Sequence, residues 1–299
     1  MKNTLLFVAL IGALGVAACS KEAAKKDESQ AVSAAGEAAP ASTGPHVKLY
    51  TFNCGEIDIS DLGVFSSNGE YDGREHKVAV SCFLIRHPDG DLMWDAGLPD
   101  AIHEQEGGVT NGVFHLTMEK TVKGQLEALG LGLDDIEYFS LSHSHFDHAG
   151  NGSMFVGSTF LVDRDERAHM FRDDIRNDPQ QFSFVSALEA AETLEFDGDY
   201  DVFGDGSVII LEMPGHTPGH TALLLNLRNA GPVMLSGDLY HLIESREKRI
   251  VPSFNTNADD TLASMDRFEA IAAEKNALVV IQHAQEHVSE LPQPPEYLD

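Results

Sequence analysis

A mixed α/β fold, a sheet-rich sandwich covered by helices, is predicted by three features of this sequence. Short apolar runs of strand type recur after Val47, helical faces interleave with them, and Gly- and Pro-bearing turns separate the later runs. The runs are VAVSCFLI, YFSL, TFLV, SVIIL, TALLLNL and PVMLS. Met118, Val122, Leu126 and Leu129 fall on one helical face after Thr117, with Gly130 as a stop. Leu262, Met265, Phe268 and Ile271 make a second face after the polar start at residues 257–260. Gly204-Asp205-Gly206 and Asn229-Ala230-Gly231-Pro232 carry the turn chemistry of antiparallel hairpins. No fixed-period repeat is present. A chain of 299 residues, 42% hydrophobic, is long enough for one large core, so a single domain over residues 46–299 is the simplest organisation.

The N-terminus has a different character. Lys2 precedes a short apolar run that closes on Ala17-Ala18-Cys19, the pattern of a secretory signal over residues 1–18; the run is shorter than the roughly 20 residues a membrane span needs. Val16-Ala17-Ala18-Cys19 resembles the lipobox of bacterial lipoproteins, which implies a lipidated Cys19 as membrane attachment. Ser20 lacks the Asp that would resemble an inner-membrane retention signal, so a periplasm-facing, outer-membrane lipoprotein is expected, with periplasmic release as the alternative. Residues 19–45 are Ala, Ser, Gly, Glu and Lys with almost no large apolar side chain and read as a flexible tether.

The formal net charge is -28, which excludes a nucleic-acid partner, because binding one depends on clustered Lys and Arg. Neutral small molecules fit this charge most easily as substrates. An oxidising compartment permits a bridge between Cys54 and Cys82. Cys82 also lies in an apolar run where Cys behaves as a small hydrophobe, so two separate buried thiols remain equally open and the bridge is not assumed.

Chemistry concentrates after the YFSL run. Ser142-His143-Ser144-His145-Phe146-Asp147-His148 places three His and one Asp within six residues. His143 and His145 alternate by two, so an extended chain points both imidazoles to one side, and Asp147 and His148 face a second position as the chain turns. One loop then serves two metals, and imidazole with carboxylate suits zinc, iron, manganese or cobalt. Three further ligand candidates stand at strand ends: His216 in PGHTPGH, Asp238 in SGD, and His283 after ALVVIQ.

HSHFDH, PGHTPGH, SGD and the late strand-end His resemble the successive metal motifs of the metallo-β-lactamase superfamily. Within it, MWDAGLPD, LSHSHFDHAGNG and FLVDRDE are most similar to stretches of the N-acyl-homoserine lactonases, in the same order, and the likeness covers nearly everything after the tether. The resemblance implies a four-layer αβ/βα sandwich holding two Zn2+ ions. His143, His145 and His216 would bind one ion, Asp147, His148 and His283 the other, and Asp238 would bridge them. Asp95 would brace the His-rich loop. His220 has no ligand role in that pattern, and His46, His76, His87, His103, His115, His169 and His287 match no motif.

The implied activity is hydrolysis of a lactone ring, that of N-acyl-homoserine lactones, through attack on the carbonyl by a hydroxide shared between the ions, with Asp147 carrying the proton to the leaving group. A phosphotriesterase, arylesterase or sulfatase on the same metal pair is the alternative, because loops rather than ligands set the substrate. A non-catalytic envelope lipoprotein is a third reading, and the intact ligand set argues against it. His145 stands where redox diiron relatives carry a carboxylate, and Asp238 supplies a bridge that true metallo-β-lactamases lack at this motif. Only residues 284–299 follow His283, too few for the helical substrate domain of glyoxalase II. The Gly-rich stretch from Gly107 to His115 resembles a lactonase loop near the substrate; either it forms a mobile lid with Val113 and Phe114 lining an acyl groove, or Phe114 is tucked into the core.

The lactonases place a Tyr three residues beyond the bridging Asp, where a neutral donor can stabilise an oxyanion. Here that offset falls on His241, with Tyr240 one position earlier. Tyr240 is taken as the donor, reached by a one-residue shift, because a phenol stays neutral over the working pH range; His241 is the alternative.

Overall fold

A computed structural model describes residues 44–299. The signal segment, Cys19 and nearly all of the tether lie outside the described residues. Among the described residues no helix is long and apolar enough to cross a membrane.

Strands β1 (Lys48–Ile59), β2 (His76–His87), β3 (Gly90–Trp94), β4 (Val109–Asn111), β5 (Phe114–Thr117), β6 (Tyr138–Ser140), β7 (Thr159–Asp163) and β8 (Thr193–Phe196) form one sheet. Its order is β4-β5-β1-β2-β3-β6-β7-β8. The second sheet runs β13-β12-β11-β10-β9, from β9 (Tyr200–Asp201), β10 (Val208–Glu212), β11 (Thr221–Leu227), β12 (Gly231–Leu235) and β13 (Leu278–Val280). Each of the six apolar runs forms a strand or part of one, overrunning it by at most one residue. Both expected turns join antiparallel neighbours, β9 to β10 and β11 to β12.

These strands read as continuous apolar runs because both of their faces are buried. On β2, Phe83 and Ile85 pack between the sheets while Cys82 and Leu84 face the outer helices. On β11, Leu223 and Leu225 point into the same inter-sheet layer, and Ala222 and Leu224 turn the other way. Three apolar layers result, separating helix, sheet, sheet and helix. The fold is the four-layer sandwich that the resemblance implied.

The outer helices are α1 (Val122–Ala128), α2 (Phe146–Ala149), α3 (Arg164–Met170), α4 (Asp173–Arg176) and α5 (Pro179–Val185) along the first sheet, then α6 (Ile243–Lys248), α7 (Ala258–Lys275) and α8 (Gln285–Glu290). α7 lays Met265 and Phe268 on the second sheet as its spacing predicts, and Asn257 caps it by accepting from the amides of Asp259 and Asp260. α1 starts later than expected: Thr117 ends β5 opposite Glu56, and Thr121 is the cap, its hydroxyl accepting from the Gly124 amide.

Two further expectations change. Cys54 and Cys82 form a disulfide between β1 and β2, their Cα atoms 5.9 Å apart. A bulge between Asn53 and Glu56 brings Cys54 across to its partner, with Gly55 at φ +129°. The Gly-rich stretch is a regular hairpin, β4 to β5, turning at Gly112 with φ +60°. Phe114 is half-buried on it and borders two cavities, whereas Val113 lines neither of them.

Candidate metal centre

The ligand candidates occupy the places where strands of both sheets run out. β6 ends at Ser140, and the following residues leave the sheet as irregular chain, bending at Ser142, until His145 caps α2. His145 thus has extended backbone and His143 lies on the irregular chain before it, while Asp147 and His148 lie on a helical turn. β10 ends before the His216 loop, β12 before Asp238, and β13 before His283. Glycines permit the close packing of these loops. A Cβ on Gly215 would meet the Thr261 amide at 2.3 Å, and one on Gly219 the Glu166 amide at 2.1 Å.

The side chains converge as two groups. His145 Nδ1 lies 2.9 Å from His143 Nε2 and 3.0 Å from His216 Nε2. Asp238 Oδ2 closes this group at 3.3 Å from His216 Nε2 and 3.5 Å from His143 Nε2. In the second group His148 Nε2 and His283 Nε2 are 3.2 Å apart, and Asp147 Oδ2 is 3.6 Å from the latter. Asp238 Oδ1 stands 3.1 Å from His148 Nε2 and 2.9 Å from His283 Nε2. One carboxylate therefore faces both groups, an oxygen to each.

Outward-facing nitrogens orient the rings. His148 Nδ1 donates to Asp95 Oδ2 at 3.0 Å, His216 Nδ1 to Asn255 Oδ1 at 2.9 Å, and His283 Nδ1 to the Ala79 carbonyl at 2.7 Å. Each turns its Nε2 inward. Asp95, expected as a brace, also accepts from the Ser142 amide at 2.6 Å and from Gln282 Nε2 at 2.8 Å, holding φ +60° as it does so.

Burial drives His143 and His145 well below the imidazole range, so both are neutral. Burial also opposes protonation of His148 and His283. Asp238 outweighs it in both, joined by Asp95 at His148 and Asp147 at His283, and both are pushed up. The centre thus draws positive charge to the point between its carboxylates.

Tyr240 does not reach this centre, which corrects its assignment as the carbonyl donor. The short turn at Gly237–Leu239 gives way to extended chain at Tyr240, φ -138° and ψ 132°, so neighbouring side chains point to opposite sides without a bulge. Tyr240 packs on Phe268, and its hydroxyl donates to Glu269 Oε1 at 2.9 Å. Burial, with the Glu269 carboxylate, pushes its phenol up. His241 takes the inward side, with Nε2 3.0 Å from Asp238 Oδ2. His220 joins neither group: its Nδ1 donates to the Met213 carbonyl and its Nε2 accepts from the Asp238 amide at 2.9 Å. The seven histidines without a motif are likewise absent from both groups.

The centre forms part of the wall of a cavity of about 310 Å³ whose other walls are apolar, among them Ile57, Ile59, Phe65, Phe146 and Phe254. No Lys or Arg lines it. A larger cavity of about 720 Å³ adjoins it past His145, Phe114 and Phe146. Sequence reasoning gave no role to Asn255, which lies in no quoted motif, or to Glu166, the last residue of the FLVDRDE stretch.

A family profile described as the metallo-beta-lactamase superfamily matches residues 77–283, more than half of the chain. The chain belongs to this superfamily. As a metallo-beta-lactamase superfamily member it is a metal-dependent hydrolase. It is 27% identical over 267 residues to the N-acyl homoserine lactonase AttM of Rhizobium radiobacter, covering 84% of this chain and 98% of that protein. It is 27% identical over 259 residues to the N-acyl homoserine lactonase AiiA of Bacillus thuringiensis subsp. kurstaki, again 84% of this chain and 98% of the other. A solved N-acyl homoserine lactone hydrolase, with the product N-hexanoyl-L-homoserine bound at its catalytic metal centre, superimposes with a TM-score of 0.71 at 26% identity. That match covers 84% of this chain and 98% of the solved one.

The residues present fit divalent metal. Asp238 Oδ1 is buried and makes no hydrogen bond, an expensive state for a carboxylate oxygen unless a cation faces it. Deprotonated, as metal binding requires, the imidazole nitrogens aimed at Asp238 would be lone-pair donors of the kind that zinc and related ions favour.

Proposed function

We propose that this protein is a dinuclear zinc lactonase that opens neutral lactone rings, N-acyl-homoserine lactones first among them. The observation that carries the reading is the Asp238 carboxylate facing two ligand groups at the wall of an apolar cavity free of Lys and Arg. Beyond the metal position, walls without Lys or Arg suit an uncharged ester better than a phosphate or sulfate ester.

His143, His145 and His216 would hold one ion, Asp147, His148 and His283 the second, with Asp238 between them. Such a pair supplies Lewis acidity, acidifying water near neutral pH and polarising a carbonyl oxygen. The chain's own groups do the rest. Phe65, Phe146 and Phe254 exclude water from the cavity and offer surface to an aliphatic substituent. Asp147 reaches the cavity wall, where its carboxylate can take a proton and return it to the departing alkoxide. His241 Nε2 faces the same cavity and can hold a proton toward the carbonyl oxygen, the role first given to Tyr240.

Export with attachment through a lipidated Cys19 is part of the same proposal. The buried Cys54–Cys82 disulfide supports it, since such bridges persist in oxidising compartments.

The test is turnover of purified, metal-loaded protein on a panel of lactones, phosphotriesters, aryl esters, sulfate esters and β-lactams. N-acyl-homoserine lactones should rank first in kcat/KM; a higher rank for any other class overturns the substrate assignment. On the best lactone, His241→Ala should lower kcat by about 100-fold and Tyr240→Phe only slightly. The reverse order would return the donor role to Tyr240.

A further inference from the structure

Glu166 closes the FLVDRDE stretch on the first turn of α3, among charged residues, yet only 1% of it is exposed. Three donors converge on its carboxylate. Oε1 accepts from the Ser144 amide at 2.7 Å and from the Ser144 hydroxyl at 2.6 Å. Oε2 accepts from the Thr217 hydroxyl at 2.5 Å. Ser144 stands between His143 and His145, and Thr217 directly follows His216. One side chain therefore ties together the two loops that supply all three imidazoles of the first group, loops that lie 71 residues apart at the contact of His145 with His216.

We propose that Glu166 is a positioning residue dedicated to the first metal position: it fixes the separation and orientation of the His145 and His216 loops without touching substrate. This rests on the dinuclear reading above. The second group has an independent anchor of the same kind, Asp95, which accepts from His148, Ser142 and Gln282. Glu166 makes no contact with that side.

Geometry also explains why a carboxylate is needed. The three partners bring an amide and two hydroxyls, so two acceptor oxygens satisfy all of them. Glutamine keeps a single acceptor; its NH2 must face either the Ser144 amide, which cannot accept, or the Thr217 hydroxyl, which must then rotate. The backbone is committed too. Asp163 caps α3 by accepting from the Asp165 and Glu166 amides, and Gly219 of the His216 loop packs against the Glu166 amide closely enough to exclude any side chain.

The experiment is chelator competition starting from metal-loaded protein, with zinc affinity and the cobalt(II) absorption spectrum as readouts. Wild type should release two ions. If it holds none, the metal reading itself fails, whatever Glu166 does. In Glu166→Gln one ion should bind about 10–100-fold more weakly while the other is unchanged, and the cobalt spectrum should lose one component. Carried in a His283→Ala background, which leaves only the first group complete, the weakening should persist; in a His216→Ala background Glu166→Gln should be silent. Thr217→Val and Ser144→Ala, each removing one arm of the tie, should reproduce part of the loss. They keep the test open if the Glu166 variant does not fold. Parallel weakening of both ions, no weakening of either, or loss that appears only with a lowered melting temperature of the metal-free protein would overturn the proposal.

Discussion

The two halves of the centre are held by different kinds of structure. His283 lies three residues past the end of β13 and donates to the Ala79 carbonyl of β2, and His148 is fastened to Asp95 at the end of β3. Strands of both sheets thus back the second half. His145 and His216 lie on loops, and what joins those loops is α3, a helix of seven residues. A site on strands keeps its geometry better than one on loops. The second half should therefore be the more rigid, and the first the more easily loosened by changes behind it.

The largest effect should come from the residue the halves share. Asp238→Asn keeps the shape and removes the charge facing both groups, so kcat/KM should fall by more than about 100-fold and both ions should bind more weakly. Loss of one ion alone would show that the carboxylate serves a single half, and the comparison would break at its centre. Next in size is Asp95→Asn, which should weaken only the ion of the strand-backed half, by about 10–100-fold in competition with a chelator. A loss at the loop-backed half instead would mean that Asp95 acts through Ser142 on the whole His-rich loop.

The smallest effect concerns stability and pH. Burial pushes Asp163 up to about 6, against the pull of the Asp165 and Glu166 amides that it caps. The folded state thus holds this proton more strongly than the unfolded chain, so the associated stability is present at pH 4 and lost as pH rises through about 6. Asp163→Asn keeps an oxygen for the cap and cannot ionise. Relative to wild type it should gain on the order of 2 kcal/mol between about pH 4 and pH 7, read from denaturant midpoints at the two values. Parallel profiles would show that the helix behind the loop-borne half carries no such burden.

The sandwich was legible because buried strands must be apolar on both faces, so runs such as TALLLNL announce themselves. The ligand set was legible through density: chance rarely places HSHFDH, SGD and a strand-end His in that order. Other features depended on register, which residue identity does not carry. Cys54 meets Cys82 only because β1 bulges after Asn53, and the sequence left that bridge open. Thr117 looked like a helix cap beside Met118, but pairing of β5 with β1 claimed it. Whether Tyr240 or His241 faces the ions turned on the chain leaving Leu239 extended rather than bulged. Glu166 closed the FLVDRDE stretch, but nothing in it marked this carboxylate out from Asp163 or Asp165 as one that supports the site. It sits among Asp165, Arg164 and Arg167, and only the fold separates the buried carboxylate from its solvated neighbours.

The two ends of the described chain meet far from the cavity. Leu298 pairs with Leu49 near the start of β1, and the Asp299 carboxylate contacts His46. Ile57 and Ile59, at the other end of the same strand, line the cavity. Eight to ten residues of β1 put about 30 Å of strand between them. A support or fusion partner joined at either end therefore holds the protein by the back of the sandwich and leaves its mouth turned outward, so that a dissolved substrate arrives from the open side.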